Sequence, residues 1–284
     1  DQGSDADTYF QHGLDYGIIG FGSGQNIGSL RSQYLGSLSG KMLRLDPETG
    51  DGLPSNPFWD PANPRSARSR TWALGLRNPY RFSLKPGSGS HNPADANPGI
   101  FFLGDVGWNS SEDFHVIDRP GLNLGWPIFE GMVARYPGNA SNLAAPNPLY
   151  GIGGCTQRYF HFVNLIKQES NNPVSFPNPC NASIPIPDSW TDGGGQTWRY
   201  FKFEHTRPPI AWRTSALAAT FDAGGTATTC QVGASGCKVQ GAQFSGNTST
   251  GGVFYTGDDF PASYKNTYFH ADSGGQWITN FQQD

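Results

Sequence analysis

The chain has 284 residues, a formal net charge of −4, 13% aromatic and only 15% charged residues. No basic patch accompanies that balance, which excludes nucleic acid as an expected partner, and no apolar run approaches the roughly 20 residues of a membrane span. With 38 glycines and 22 prolines the composition excludes a helical bundle and favours many short strands joined by tight turns.

Residues 1–35, rich in Gly, Ser and Gln, read as a long loop. Lys41-Met42-Leu43-Arg44-Leu45 alternates polar and apolar residues and meets the turn cluster Asp46-Pro47-Glu48-Thr49-Gly50, which predicts a strand ending in a turn. A loop over 51–70 leads to the short apolar segment Thr71–Leu76. The turn Asn78-Pro79 and a second alternating strand, Tyr80–Leu84, follow. Ile100–Leu103 predicts a buried strand closing at Gly104-Asp105, and Phe114–Ile117 another. Residues 130–196 predict mostly loop, a functional elaboration within about 130–200. The strand pattern resumes at Ile210-Ala211-Trp212, gives way to a cysteine loop over roughly 220–240, and returns at 252–255, 267–270 and 276–279. Strands end in a small-residue–Asp step at Gly104-Asp105, Gly257-Asp258 and Ala271-Asp272. The class is all-β; a sandwich, a barrel and a propeller all fit this spacing.

Cys155, Cys180, Cys230 and Cys237 form no CxxC pair and have no His at zinc-finger spacing. Two local bridges, Cys155–Cys180 and Cys230–Cys237, are the simplest reading, since each pair sits in a Gly/Pro/Ser-rich loop. They imply an oxidising compartment; the alternative is four thiols in a reducing one. The chain opens at Asp1 without an initiator Met, as expected of a fragment or processed chain.

Four segments in order carry a family resemblance: Gly40-Lys41-Met42-Leu43-Arg44-Leu45-Asp46-Pro47, Leu74-Gly75-Leu76-Arg77-Asn78-Pro79, Gly104-Asp105-Val106-Gly107 and Asn123-Leu124-Gly125-Trp126-Pro127. With Asp1-Gln2-Gly3 before them and Gly251–Gly275 after, the chain resembles the glucose/sorbosone dehydrogenases that use pyrroloquinoline quinone (PQQ). The resemblance implies a six-bladed β-propeller with PQQ and calcium on one face and oxidation of an aldose at C1. About four blades would be present, as one partial domain over 1–284.

The resemblance also assigns roles. Arg77 and Asn78 contact the cofactor; an Arg fork suits a carboxylate and an oxyanion. The backbone carbonyls of Gly107 and Trp108 bind calcium, which prefers oxygen ligands. Asp1 orients a catalytic His that lies upstream of this chain, so the fragment itself is expected to be inactive. None of the six histidines present sits in the matching context. Bland readings stand beside these: an Arg paired with a nearby Asp, a plain connecting turn at 107–108, and a solvated acidic turn at Glu112-Asp113 in place of a group orienting the cofactor loop or a sugar hydroxyl. Most tryptophans are expected in the core, with one or two facing a sugar. The later segment Ala271–Gly275 lacks a Lys found in members of the family. Electrons would pass to an external acceptor, and the protein would be extracellular or periplasmic. A cofactor-free propeller serving as an extracellular binding module is the alternative.

Overall fold

A computed structural model describes residues 27–135 and 143–282. Its strands in chain order are β1 (Lys41–Leu43), β2 (Thr71–Leu74), β3 (Pro79–Leu84), β4 (Phe101–Asp105), β5 (Glu112–Ile117), β6 (Phe129–Glu130), β7 (Val133–Ala134), β8 (Leu143–Pro146), β9 (Tyr159–His161) and β10 (Ile166–Gln168). They continue as β11 (Pro177–Asn178), β12 (Asn181–Pro185), β13 (Ser189–Thr191), β14 (Thr197–Arg199), β15 (Phe203–His205), β16 (Ile210–Trp212), β17 (Ala216–Phe221), β18 (Ala227–Gln231), β19 (Ser249–Phe254), β20 (Tyr268–Asp272) and β21 (Trp277–Phe281). Among the described residues helix is confined to segments of three to five residues, among them α1 (Ala67–Arg70) and α2 (Phe162–Leu165). The all-β expectation holds.

The scaffold is a six-stranded sheet of order β18-β17-β16-β5-β4-β3. Its centre is buried on both sides, and alternation along β4 shows why. Phe102 joins Phe114, Phe254 and Tyr268 in a core against β19–β21, whereas Leu103 joins Met42, Trp72, Leu76 and Leu124 in a core on the opposite side. The Phe102 and Phe114 rings meet edge-on at 5.3 Å. Burying each such side chain contributes about 1.5–3 kcal/mol. The three-stranded sheet β19-β20-β21 closes the Phe102 side. Trp72 and Trp212 are buried in these cores and Trp126 is buried outside them, whereas Trp108 and Trp198 are exposed.

The stretch expected to be mostly loop is instead a chain of small paired units. β6–β7, β8–β9, β11–β12 and β13–β14 pair antiparallel, and β10 pairs with β15 in parallel. These strands escape a pattern search because they are short and mostly exposed; β12 is exposed along its whole length, so no apolar alternation marks it. β18 likewise occupies the region expected to be a cysteine loop, and the end of β17 runs into it. Both bridges form as expected, Cys155–Cys180 within the insertion and Cys230–Cys237 from β18 to the turn after it.

Candidate functional site

Two motif glycines bring the second and fourth resemblance segments together. Gly75 and Gly125 hold positive φ, 81° and 101°, where a side chain is strained. A Cβ on Gly75 would meet Gly125 N at 2.6 Å, and one on Gly125 would meet His205 Nε2 at 2.6 Å. Between them the backbones zip: Leu124 N donates to Leu74 O at 2.8 Å and Trp126 N to Gly75 O at 2.9 Å. Asn123 and Gln33, both buried, exchange two side-chain hydrogen bonds (3.0 and 2.7 Å). Gln33 Nε2 and Ser32 Oγ also donate to Trp126 O at 2.7 and 2.6 Å. The Trp126 indole is thereby fixed as a floor.

Arg77 lies on that floor. Its guanidinium carbon is 5.4 Å from the Trp126 ring centroid, and its Nη1 donates to Val106 O at 2.8 Å. Its Nε is buried and makes no hydrogen bond, an open donor of the kind that buried sites rarely leave. Trp108 stands edge-on to Trp126 at 6.3 Å. Asp105 fixes the backbone at the arginine, accepting from Arg77 N at 3.0 Å and Asn78 N at 2.7 Å. Asn78 itself is exposed. The structure thus brings Arg77 beside the 106–108 turn, one residue from Gly107. Pairing with a nearby Asp is real but runs through the Arg77 backbone amide, which leaves the guanidinium face available.

The turn after Gly107 wraps a carboxylate. Glu130 Oε1 accepts from the backbone N–H of Trp108, Asn109 and Ser110 at 2.7, 2.8 and 2.9 Å, with Ser111 N at 3.4 Å. Successive amides pointing into one concavity make an anion nest, here filled by the protein itself. The other Glu130 oxygen pairs with Arg135 Nε at 3.2 Å, and Arg135 covers Trp108 with its guanidinium 5.8 Å from the ring centroid. Arg135 also donates to Asn109 Oδ1 at 2.7 Å.

Glu112 and Asp113 do not form a solvated turn. Both are buried. Glu112 Oε2 accepts from Ser249 N at 2.8 Å and Gly107 N at 3.3 Å; Asp113 accepts from Gly131 N at 3.1 Å and Ser111 Oγ at 3.0 Å. They brace the turn from beneath. Burial pushes Glu112 up to about 7 and Asp105 up to about 6, against the backbone N–H donors that favour each anion. Burial also pushes Asp113 well above the usual carboxylate range, with the neighbouring Asp105 adding to the rise. Desolvation pulls Arg77 below its ordinary value, opposed by Asp105, Glu130 and Glu112.

A repeated device emerges from the small-residue–Asp steps. Asp105 ends β4 and binds the amides that lead into β3. Asp272 ends β20 and binds those that lead into β19, accepting from Asn247 N at 3.3 Å and Thr248 N at 3.1 Å. It also accepts from Trp212 Nε1 at 2.8 Å. Asp258, the third step, is exposed and pairs with Lys265 at 2.5 Å.

Asp1 and His12 lie outside the described residues. His115, His205 and His270 are buried, and desolvation pulls them down to about 3, 3 and 4. Among the described residues no group of three or more His, Cys, Asp or Glu side chains is placed to hold a metal. Sequence reasoning missed Glu130, which falls in the stretch read as loop and has no periodic signal around it. Asp105 was visible as the end of a strand and as part of a resemblance segment, with no role assigned to it.

A family model for Glucose / Sorbosone dehydrogenase matches residues 15–146, the stretch that holds Gly75, Arg77, the 107–111 turn, Trp126 and Glu130. HIPL1 protein of Arabidopsis thaliana is 28% identical over 164 residues, 50% of this chain and 21% of that protein. HIPL2 protein of the same plant is 33% identical over 131 residues, 42% of this chain and 17% of that protein. The aligned stretches thus span only about a fifth of these relatives. A solved structure, the PQQ-bound form of aldose sugar dehydrogenase from Streptomyces coelicolor, aligns over 89% of this chain and 54% of its own, with 17% identity and a TM-score of 0.32. Over residues 15–146 the chain is therefore similar to the glucose/sorbosone dehydrogenases.

Proposed function

We propose that this chain is part of a propeller-type quinoprotein that oxidises an aldose at C1 and passes the electrons to an external acceptor. One observation carries the reading: a guanidinium with an open, buried Nε lies on an indole floor beside the 106–108 turn. PQQ is planar and bears three carboxylates, and that donor set suits it. When bound, PQQ supplies the hydride acceptor. Arg77 would clamp a carboxylate or quinone oxygen and stabilise negative charge as it develops, with Asn78 beside it as a neutral donor. Asp105 would set the angle of both through their backbone amides. For calcium the protein would offer the carbonyls of Gly107 and Trp108; the nearby Glu112 and Glu130 carboxylates are already engaged with amides. The remaining ligands would come from cofactor and water. Asp1 would orient an upstream His that takes the sugar hydroxyl proton. The two disulfides support an oxidising compartment, extracellular or periplasmic.

An absorbance titration of PQQ with the 284-residue chain in Ca²⁺, repeated in chelator, tests this. Saturable binding that weakens in chelator is the expected result. The second reading, a cofactor-free propeller acting as an extracellular binding module, is favoured by the turn at 271–275. It offers no Lys, and its Asp272 is committed to backbone amides and Trp212. That reading predicts no saturable PQQ binding.

A further inference from the structure

A second cavity, of about 630 Å³, opens between the insertion and the segments 33–36 and 66–68. None of Arg77, Asn78, Gly107, Trp108 or Trp126 lines it. Its volume suits a small ligand rather than a few waters. Tyr34, Phe162, Trp198, Phe201 and Phe203 provide aromatic walls, and no Asp or Glu is among its lining residues. The walls are braced from behind: buried Phe58 meets Phe201 and Phe203 edge-on at 5.3 and 5.9 Å. Trp198 Nε1 is tethered to Asp192 Oδ2 at 3.3 Å.

Two arginines line the cavity, and both sit over Phe201. Arg68 lies 5.4 Å and Arg199 5.8 Å from its ring centroid. They differ in what else they hold. Arg68 Nε donates to Phe58 O at 3.1 Å, and Nη1 lies 3.9 Å from Asp60. The Arg199 guanidinium enters no hydrogen bond and no ion pair with the described residues; its electrostatic neighbour Asp188 is held by Lys202 at 2.7 Å. A planar cation with open donors, stacked on an aromatic wall of a carboxylate-free cavity, matches one ligand chemistry: a flat ring carrying an anionic group.

We infer that this cavity binds a planar aromatic anion, an arene carboxylate of one or two rings, with the ring against Phe201 and Trp198 and the carboxylate on Arg199. The inference does not rest on PQQ binding at Arg77, and the test separates the two. Calorimetry on the 284-residue chain would compare 2-naphthoate with the neutral 2-naphthalenemethanol. The acid is expected to bind at least about tenfold more tightly, the worth of one charge-assisted hydrogen bond. Arg199→Ala should abolish that preference, Arg199→Lys should keep part of it, and Phe201→Leu should weaken both probes. Arg77→Ala should leave naphthoate affinity unchanged. Equal affinity for acid and alcohol, no binding of either, or indifference to Arg199→Ala would overturn the inference. So would loss of naphthoate binding in Arg77→Ala, which would put the probe in the other site. Arg199 is exposed, so its variants should melt as the parent does; a lowered melting point would direct the comparison to Arg199→Lys, whose full acid preference would also overturn it.

Discussion

The Arg77 guanidinium lies over the Trp126 indole, 5.4 Å from its ring centroid, while the backbone amide of Trp126 bonds the carbonyl of Gly75. Two segments some fifty residues apart (74–79 and 123–127) therefore build one platform, because glycines at 75 and 125 let their backbones touch. The 106–108 turn joins it through Val106 O. Cation–π contact of this kind contributes about 0.5–2 kcal/mol, enough to hold the guanidinium in place without using up its donors.

Gly125→Ala should disrupt the platform. The residue would need φ of 101° and a Cβ within 2.6 Å of the His205 ring. A loss of about 3 kcal/mol or more is expected from backbone strain and overpacking together, read as a lowered midpoint in urea unfolding. An unchanged midpoint would show that His205 and Phe129 can shift freely.

Asp105 carries a pH signature. Its folded value, about 6, lies above the ordinary 3.8 because burial disfavours the anion. The folded state therefore holds the proton more tightly. The stabilisation from this group is present below about pH 4 and is lost as pH rises through 6, a change of about 3 kcal/mol. Asp105→Asn cannot titrate and loses one amide acceptor. The variant should be most destabilised relative to the parent near pH 4–5 and least at pH 8. Urea unfolding across that range checks the sign; a penalty that grows with pH would contradict it.

Glu130→Gln tests whether the nest shapes the turn. The neutral side chain still accepts, but three short charge-assisted bonds become ordinary ones, at a cost of about 1–3 kcal/mol. PQQ affinity should fall with stability, since Trp108 and Gly107 sit on the same turn. Lost stability with unchanged PQQ affinity would show that the turn forms no part of the site.

Much of this was legible in the sequence. The segments at 71–76, 80–84 and 100–103 mark real strands: the first and third are largely buried, whereas the alternating 80–84 leaves Tyr80, Phe82 and Leu84 exposed, and Arg77 lies against Trp126 and Val106. Other parts left no trace. β11–β14 are short and largely exposed, and β17 is built from Ala and Thr, so neither region shows strong periodicity. Glu112 and Asp113 read equally as a solvated turn or as a group orienting the cofactor loop or a sugar hydroxyl, because an acidic pair gives no sign of the amides it will meet. Glu130 is bound by a turn some twenty residues before it, a contact fixed by tertiary packing rather than by local pattern.

The most direct test is the PQQ affinity of Arg77→Ala and Arg77→Lys in Ca²⁺, measured by the same absorbance titration. Both variants should bind at least about tenfold more weakly than the parent, the lysine included, because an ammonium lacks the planar fork and face that rest on Trp126. Parental affinity in Arg77→Ala would remove this guanidinium from the site and leave the 106–108 turn with no established ligand.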